Sequence, residues 1–400
     1  MPISPDLTAA PEPALDPEGR AAGALDPYDA ILLLSFGGPD GPDDVMPFLR
    51  NVTAGKNIPD ARLEQVAEHY HHFGGASPIN GQNKALLAAL RAELDSRGIG
   101  TPLLWGNRNW TPFTLEALTE AQSQGARRVL AVVTSAYSSY SGCRQYREDL
   151  WQALDRLAAE VGGPGTEHPV QVDKVRAYFN HPGFAEAATD AVVEAFAELP
   201  DGAADARLVF VTHSIPTTMD EASAVSGASY TDQHRDVAAT VAAAAGERLG
   251  RTLDWDLAFC SRSGPPQQPW LEPDVNDHLR ELAAEGTAAV VMAPIGFVSD
   301  HMEVVYDLDT EALATAAELG LTAVRADTVG VRAPFVAGLV DLVLERAEHE
   351  RARAAGGAPE PGPVVGGLVP WPEVCRPGCC LQRAGAPSGI PAACSDDPLS

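Results

Sequence analysis

Eight short apolar runs recur along the 400-residue chain, each closed by polar residues and followed by a stretch with helical spacing. Three lie in the first half: AILLLSF (30–36), PLLWG (102–106) and RVLAVVTSAY (128–137). Five lie in the second: KVRAYF (174–179), RLVFVTH (207–213), WDLAFCS (255–261), AAVVMAPIG (288–296) and TAVRAD (322–327). Between them, NKALLAALRAELDSRG (83–98) repeats its apolar residues at three and four and closes on Gly98, and FAEAATDAVVEAFAEL (184–199) reads the same way. Strands alternating with helices predict an α/β fold, here two similar Rossmann-like domains, each a doubly wound parallel sheet.

The pattern also divides the chain. Residues 1–27 read as a disordered acidic leader, 28–170 as the first domain and 171–330 as the second, with GGPGTEHP marking the division. A closing helix follows over 331–353, and 354–400 form a Gly/Pro-rich, cysteine-bearing extension. From residue 356 to 391, 16 of 36 positions are Gly or Pro, so no regular structure is expected there. Left to itself, such a tail stays disordered.

Charge narrows the function classes. A formal charge of -27, from 28 basic and 55 acidic side chains, repels phosphate backbones and anionic lipid, which argues against nucleic acid as a partner. Without a long apolar run or a basic, apolar start, the chain reads as cytoplasmic and not inserted in a membrane. A monomer is the expected state, although nothing in the sequence fixes it. A reducing compartment makes a disulfide framework of its six cysteines improbable.

Ligands of open parallel sheets bind beyond the carboxyl ends of the strands, so the residues there are the candidates. His213 ends an apolar run, and a neutral imidazole can take a proton or ligate a metal; a hydrogen-bonded histidine at a strand end is the plain structural alternative. Ser214 beside it lacks the G-x-S-x-G elbow of a hydrolase. Asp300, Glu303, Asp307 and Glu311 follow another run. The last three, spaced by four, share one helix face and need either solvent or a cation to offset their repulsion. One imidazole and one carboxylate across a cleft suit a divalent metal with open positions. SAYSSYSGCRQYRED (135–149) offers Tyr137, Tyr140, Tyr146, Arg144 and Arg147 to a flat anionic ligand, and HYHHFGGASPINGQ (69–82) adds Tyr70, a Gly pair and Ser77.

Six stretches, LLLSFGGP, HFGGASPINGQ, SAYSSYSGCRQY, VTHSIP, SRSGPPQQPWLEPDV and PIGFVSDHMEVVYDLDTEA, together resemble the ferrochelatase family over about residues 28–346. These enzymes insert ferrous iron, a substrate, into a porphyrin held between two Rossmann-like domains of the class II chelatase kind. The resemblance implies that His213 and Glu303 are the catalytic and iron-binding pair, Asp307 and Glu311 an ion or proton route, and Ser77 and Tyr146 porphyrin-propionate contacts. Phe36 stands where some bacterial relatives carry an iron-ligating tyrosine, so that contact is absent. The GCRQY loop and the cysteine-bearing tail look like the actinobacterial subgroup. That subgroup acts on coproporphyrin III in heme b biosynthesis and passes its product to a separate, downstream heme-pathway enzyme. Protoporphyrin IX is the alternative substrate. A non-catalytic tetrapyrrole or iron carrier with an iron–sulfur sensor, or a periplasmic-type binding protein, would share the two-lobed architecture. The His213 and Glu303 pair disfavours the first, and the missing signal peptide the second.

The CRPGCC stretch remains. Clustered soft thiolates favour zinc or an iron–sulfur cluster over a disulfide. The resemblance implies a 2Fe-2S cluster on Cys143, Cys375, Cys379 and Cys380, stapling the tail to the first domain. Because adjacent Cys379 and Cys380 crowd one another, Cys394 is a substitute for one of them, while Cys260 reads as a buried, inert thiol.

Overall fold

Seven of the eight apolar runs form strands at the expected places, and the eighth is displaced. The computed structural model describes residues 23–394 apart from 56, 201, 202, 204, 265, 266, 387 and 388. The strands are β1 (Ala30–Ser35), β2 (Leu103–Asn107), β3 (Arg128–Val133), β4 (Gln171–Lys174), β5 (Arg207–His213), β6 (Trp255–Cys260), β7 (Ala289–Ala293) and β8 (Thr322–Arg325). They make two parallel sheets, ordered β2-β1-β3-β4 and β6-β5-β7-β8. The two orders are the same topology used twice, as expected of Rossmann-like cousins.

Side chains along β1 and β5 alternate between separate cores. Ile31 and Leu33 of β1 share a central core with Leu208 and Phe210 of β5 and with the helices Pro182–Ala197 and Ala333–Ala354. Leu32 and Leu34 face a separate core over the helix Gln145–Gly162, and Val209 and Val211 face a third. Apolar side chains on both faces are why these runs read as continuous.

The displaced run corrects the division of the chain. KVRAYF was expected to open the second domain, but the strand falls at Gln171–Lys174 and pairs with β3. A boundary at 170/171 therefore severs a strand from its own sheet. Residues 175–179 leave the sheet because their groups find partners elsewhere. The Tyr178 and Phe179 amides donate to the Ala136 carbonyl, and the Tyr178 hydroxyl donates to that of Val133.

Segments near both ends of the described residues are tied to the closing helix, Ala333–Ala354. Most of the acidic leader, 1–22, lies outside the described residues. Leu25, in its last part, is buried, and Arg351 donates to the Ala24 and Asp26 carbonyls. Among the described residues after Ala354 the tail has neither helix nor strand, as expected, yet it is held in place. Asn180 donates to the Leu368 and Val369 carbonyls, Trp371 packs edge-on against Phe179, and Glu373 bonds His349 and Arg353. Glu345, His349 and Glu373 bring metal-type donors together, but Arg176 occupies Glu345, and Arg346 and Arg353 occupy Glu373. Among the described residues no helix is long and apolar enough to cross a membrane.

Candidate active site

In each sheet the strand order reverses where β1 adjoins β3 and β5 adjoins β7, and crevices open beyond such switch points. The two crevices face one another. They merge into one cavity with about 1370 Å³ of empty space, counted to its open mouth. Phe36 and Gly37 line it after β1, Thr134 and Ser135 after β3, His213 and Ile215 from β5, and Gly296 to Ser299 after β7. Most of the wall is apolar, with Phe48, Leu49, Val52 and Val66 on one side, which suits a broad hydrophobic ring.

His213 and Glu303 meet across this cavity, with Nε2 and Oε2 3.6 Å apart. Their side chains are 31% and 54% exposed, because both open onto the cavity. The Ser214 carbonyl accepts from His213 Nδ1, which fixes the ring and turns Nε2 toward Glu303. Burial disfavours a charged imidazole, but the Glu303 carboxylate and the Ser214 carbonyl outweigh it and hold His213 above its ordinary pKa. Burial likewise opposes the Glu303 charge, yet His213, with His301 and His69 nearby, brings that carboxyl down to about 2. Each group thus favours the charged form of the other.

Asp307 lies one turn further on. Burial pushes its carboxyl up to about 6; the Ser261 hydroxyl, which donates to it, works against this, and Glu303 and Glu311 add to it. The segment Val305–Ala312 that carries Asp307 and Glu311 is a π-helix, not the α-helix expected from spacing. Its i→i+5 turns hold slightly more residues than α-turns, so side chains four apart still lie along one side with a small opposite drift. Asp300 stands apart from this line, bonded to Arg325 and Gln82.

Ser77 and Tyr146 both line the cavity and are otherwise buried. The Arg108 guanidinium stacks 4.6 Å over the Tyr146 ring. Arg144 and Arg147 do not reach the cavity as an anionic ligand would need. Arg144 pairs with Glu148 at 2.8 Å, and Arg147 binds the Ala393 carbonyl at 2.9 Å.

Sequence reasoning passed over several wall residues. His301 lies beside Glu303 in the SDHMEVV stretch, and its place in that motif was the available signal; burial lowers its pKa. His234 backs the wall: Thr212 bonds its Nε2, its Nδ1 donates to the Tyr230 carbonyl, and Tyr137 stacks on it at 3.6 Å. Burial pushes it down to about 3, so it is a neutral structural histidine. Only tertiary packing separates its role from that of His213.

Behind the cavity wall, Cys143, Cys375, Cys379 and Cys380 form a buried cluster. Cys143 belongs to the one-turn π-helix Tyr140–Arg144, whose neighbours Ser141 and Gly142 line the cavity. Cys143 lies within hydrogen-bonding reach of Cys375 and Cys380, and Cys375 within reach of Cys379. The Cys379 and Cys380 sulfurs are 3.3 Å apart, a closeness permitted by the left-handed backbone of Cys380 (φ 56°). Cys394, the substitute considered above, lies outside this cluster, and its thiol donates to the Val172 carbonyl at 3.1 Å.

The family model described as Ferrochelatase matches residues 28–347. A Streptomyces griseus protein named Coproporphyrin III ferrochelatase is 52% identical over 378 residues, 93% of this chain and 97% of its own. A Streptomyces coelicolor protein of the same name is 53% identical over 94% of this chain and 98% of its own. One from Rhodopirellula baltica, named Ferrochelatase, is 46% identical over 91% of this chain and 96% of its own. With a match that spans both sheets and their shared cavity, the chain belongs to the ferrochelatase family.

Proposed function

We propose that the protein inserts ferrous iron into coproporphyrin III in the cytoplasm, giving iron-coproporphyrin III for heme b synthesis. The observation that carries this reading is the His213–Glu303 pair, 3.6 Å apart and facing a largely apolar cavity of about 1370 Å³. Insertion replaces two pyrrole protons by one ferrous ion, so the site must hold a cation and then remove two protons. Glu303, held ionised, offers its carboxylate to the arriving ferrous ion, and His213 Nε2, 3.6 Å away, serves as ligand or base once it carries no proton. Asp307, with a pKa of about 6, is a carboxylate just above that pH and can take protons passed outward from Glu303. Glu311 continues the line, and Ser77 and Tyr146 offer hydroxyls to propionates.

The relatives' names favour coproporphyrin III over protoporphyrin IX. Turnover of the two porphyrins with ferrous iron under anaerobic conditions tests the choice. A kcat/KM for coproporphyrin III at least about tenfold higher is expected. A comparable preference for protoporphyrin IX would overturn it.

The four buried cysteines fit a 2Fe-2S cluster as the resident cofactor. They offer four buried sulfurs, with Ser138 and Ser226 hydroxyls at 3.1 and 3.3 Å from Cys380 and Cys379. When bound, such a cluster supplies one-electron redox chemistry. The cysteines themselves clamp the tail to the π-turn that forms part of the cavity wall.

A further inference from the structure

Arg147 is fully buried, with 0% of its surface exposed. Its Nε donates to the Ala393 carbonyl and its own carbonyl accepts from the Ala393 amide, so the tail is zipped onto it. Among the described residues, both terminal nitrogens, Nη1 and Nη2, lack a hydrogen-bond partner. An unsatisfied buried charge is costly, several kcal/mol for an ion, and native interiors keep one only where a partner is provided for. Arg147 stands four residues after Cys143 at the start of a helix, on the face that Cys143 shares. Burial opposes its charge, but the sulfurs of Cys375, Cys143, Cys394 and Cys379 outweigh this and keep it protonated.

Lys174, also buried, lines a small cavity with Cys143, and its ammonium has a bond to the Val175 carbonyl at 3.2 Å. Burial again opposes the charge, and Cys143 and Cys375 restore it. Arg144 is different, being neutralised by Glu148.

We propose that Arg147, seconded by Lys174, is the counter-charge of the four-cysteine site, its two unpartnered Nη groups donating to sulfur once a cluster is bound. The inference rests on the 2Fe-2S reading of those cysteines. An oxidised cluster of two ferric ions and two sulfides on four thiolates carries two net negative charges. Arg147 and Lys174 supply two positive ones, so the buried site is neutral when oxidised and gains an uncompensated negative charge on one-electron reduction. The pair therefore holds the cluster in place and sets its potential, and Arg147 is a positioning residue with no contact to iron or porphyrin.

Full-length protein purified anaerobically, with iron and sulfide counted per chain, tests this. Arg147→Met should lose its visible absorption to a ferrous chelator at least about tenfold faster than wild type. Titrated with dithionite, its remaining cluster should take up the electron at a more negative potential. Arg147→Lys, which keeps the charge, should recover most of both properties. Lys174→Met should shift both in the same direction, and it carries the test if Arg147→Met does not fold by circular dichroism. Wild-type rates and potential in a coloured Arg147→Met or Lys174→Met protein would overturn the inference alone. A wild type that stays colourless after reconstitution with iron and sulfide would overturn the cluster reading and the inference with it.

Discussion

Asp307 shows how the site sets chemistry against stability. Its carboxyl is raised to about 6, by burial first and by Glu303 and Glu311 after it, while the ordinary value is 3.8. The folded protein thus binds this proton more tightly than the unfolded chain, and stability falls as pH rises from about 4 through 6. Above that range an ionised Asp307 costs the fold roughly 3 kcal/mol. Asp307→Asn should therefore be more stable to urea at pH 8 by about that amount, with the difference gone at pH 4. The same variant should insert iron more slowly near neutral pH, since the amide takes no proton. Equal urea midpoints at pH 8 would mean that the carboxylate is solvated and not poised. Ser261, whose hydroxyl bonds Asp307 from a left-handed backbone position (φ 61°), shows what tertiary structure adds to a chain of carboxylates already visible in the sequence.

Among the elements, β5 and the loop after β7 fix the catalytic geometry together. Gly296 crosses directly over Thr212, and a Cβ there would sit 2.0 Å from the Thr212 hydroxyl oxygen. Thr212 in turn bonds Tyr230 and His234 and immediately precedes His213. Gly296→Ala should lower melting stability by about 1–3 kcal/mol and, by moving the end of β5, reduce insertion by more than the folded fraction falls. Full specific activity per folded molecule would show that the loop does not set the position of His213. The strands themselves were legible because burial on both faces leaves uninterrupted apolar runs. The π-helix over Val305–Ala312 was not, since a spacing of four fits α- and π-turns almost equally. Nor was the destination of Arg144 and Arg147: a polar strand-to-helix loop has two sides, and only packing decides that the tyrosine side meets the cavity and the arginine side meets the cysteines.

Across the whole molecule, one topology used twice brings two switch points face to face, and the cavity follows from that symmetry. The order of apolar runs was enough to anticipate it. The place of β4 was not, because Val175–Phe179 is as apolar as a strand but spends that character on the core between the sheets. The tail was legible only as a composition without helix or strand; what orders it are single side chains, Asn180, Trp371, Glu373 and the four cysteines, drawn from both halves. The reading of the cavity as an iron-insertion site stands or falls with His213. Coproporphyrin III fluorescence followed anaerobically with ferrous iron measures insertion, and quenching without iron measures porphyrin binding. His213→Ala should bind the porphyrin nearly as wild type does and consume it at least about a hundredfold more slowly. Near-normal insertion by His213→Ala would contradict the assignment.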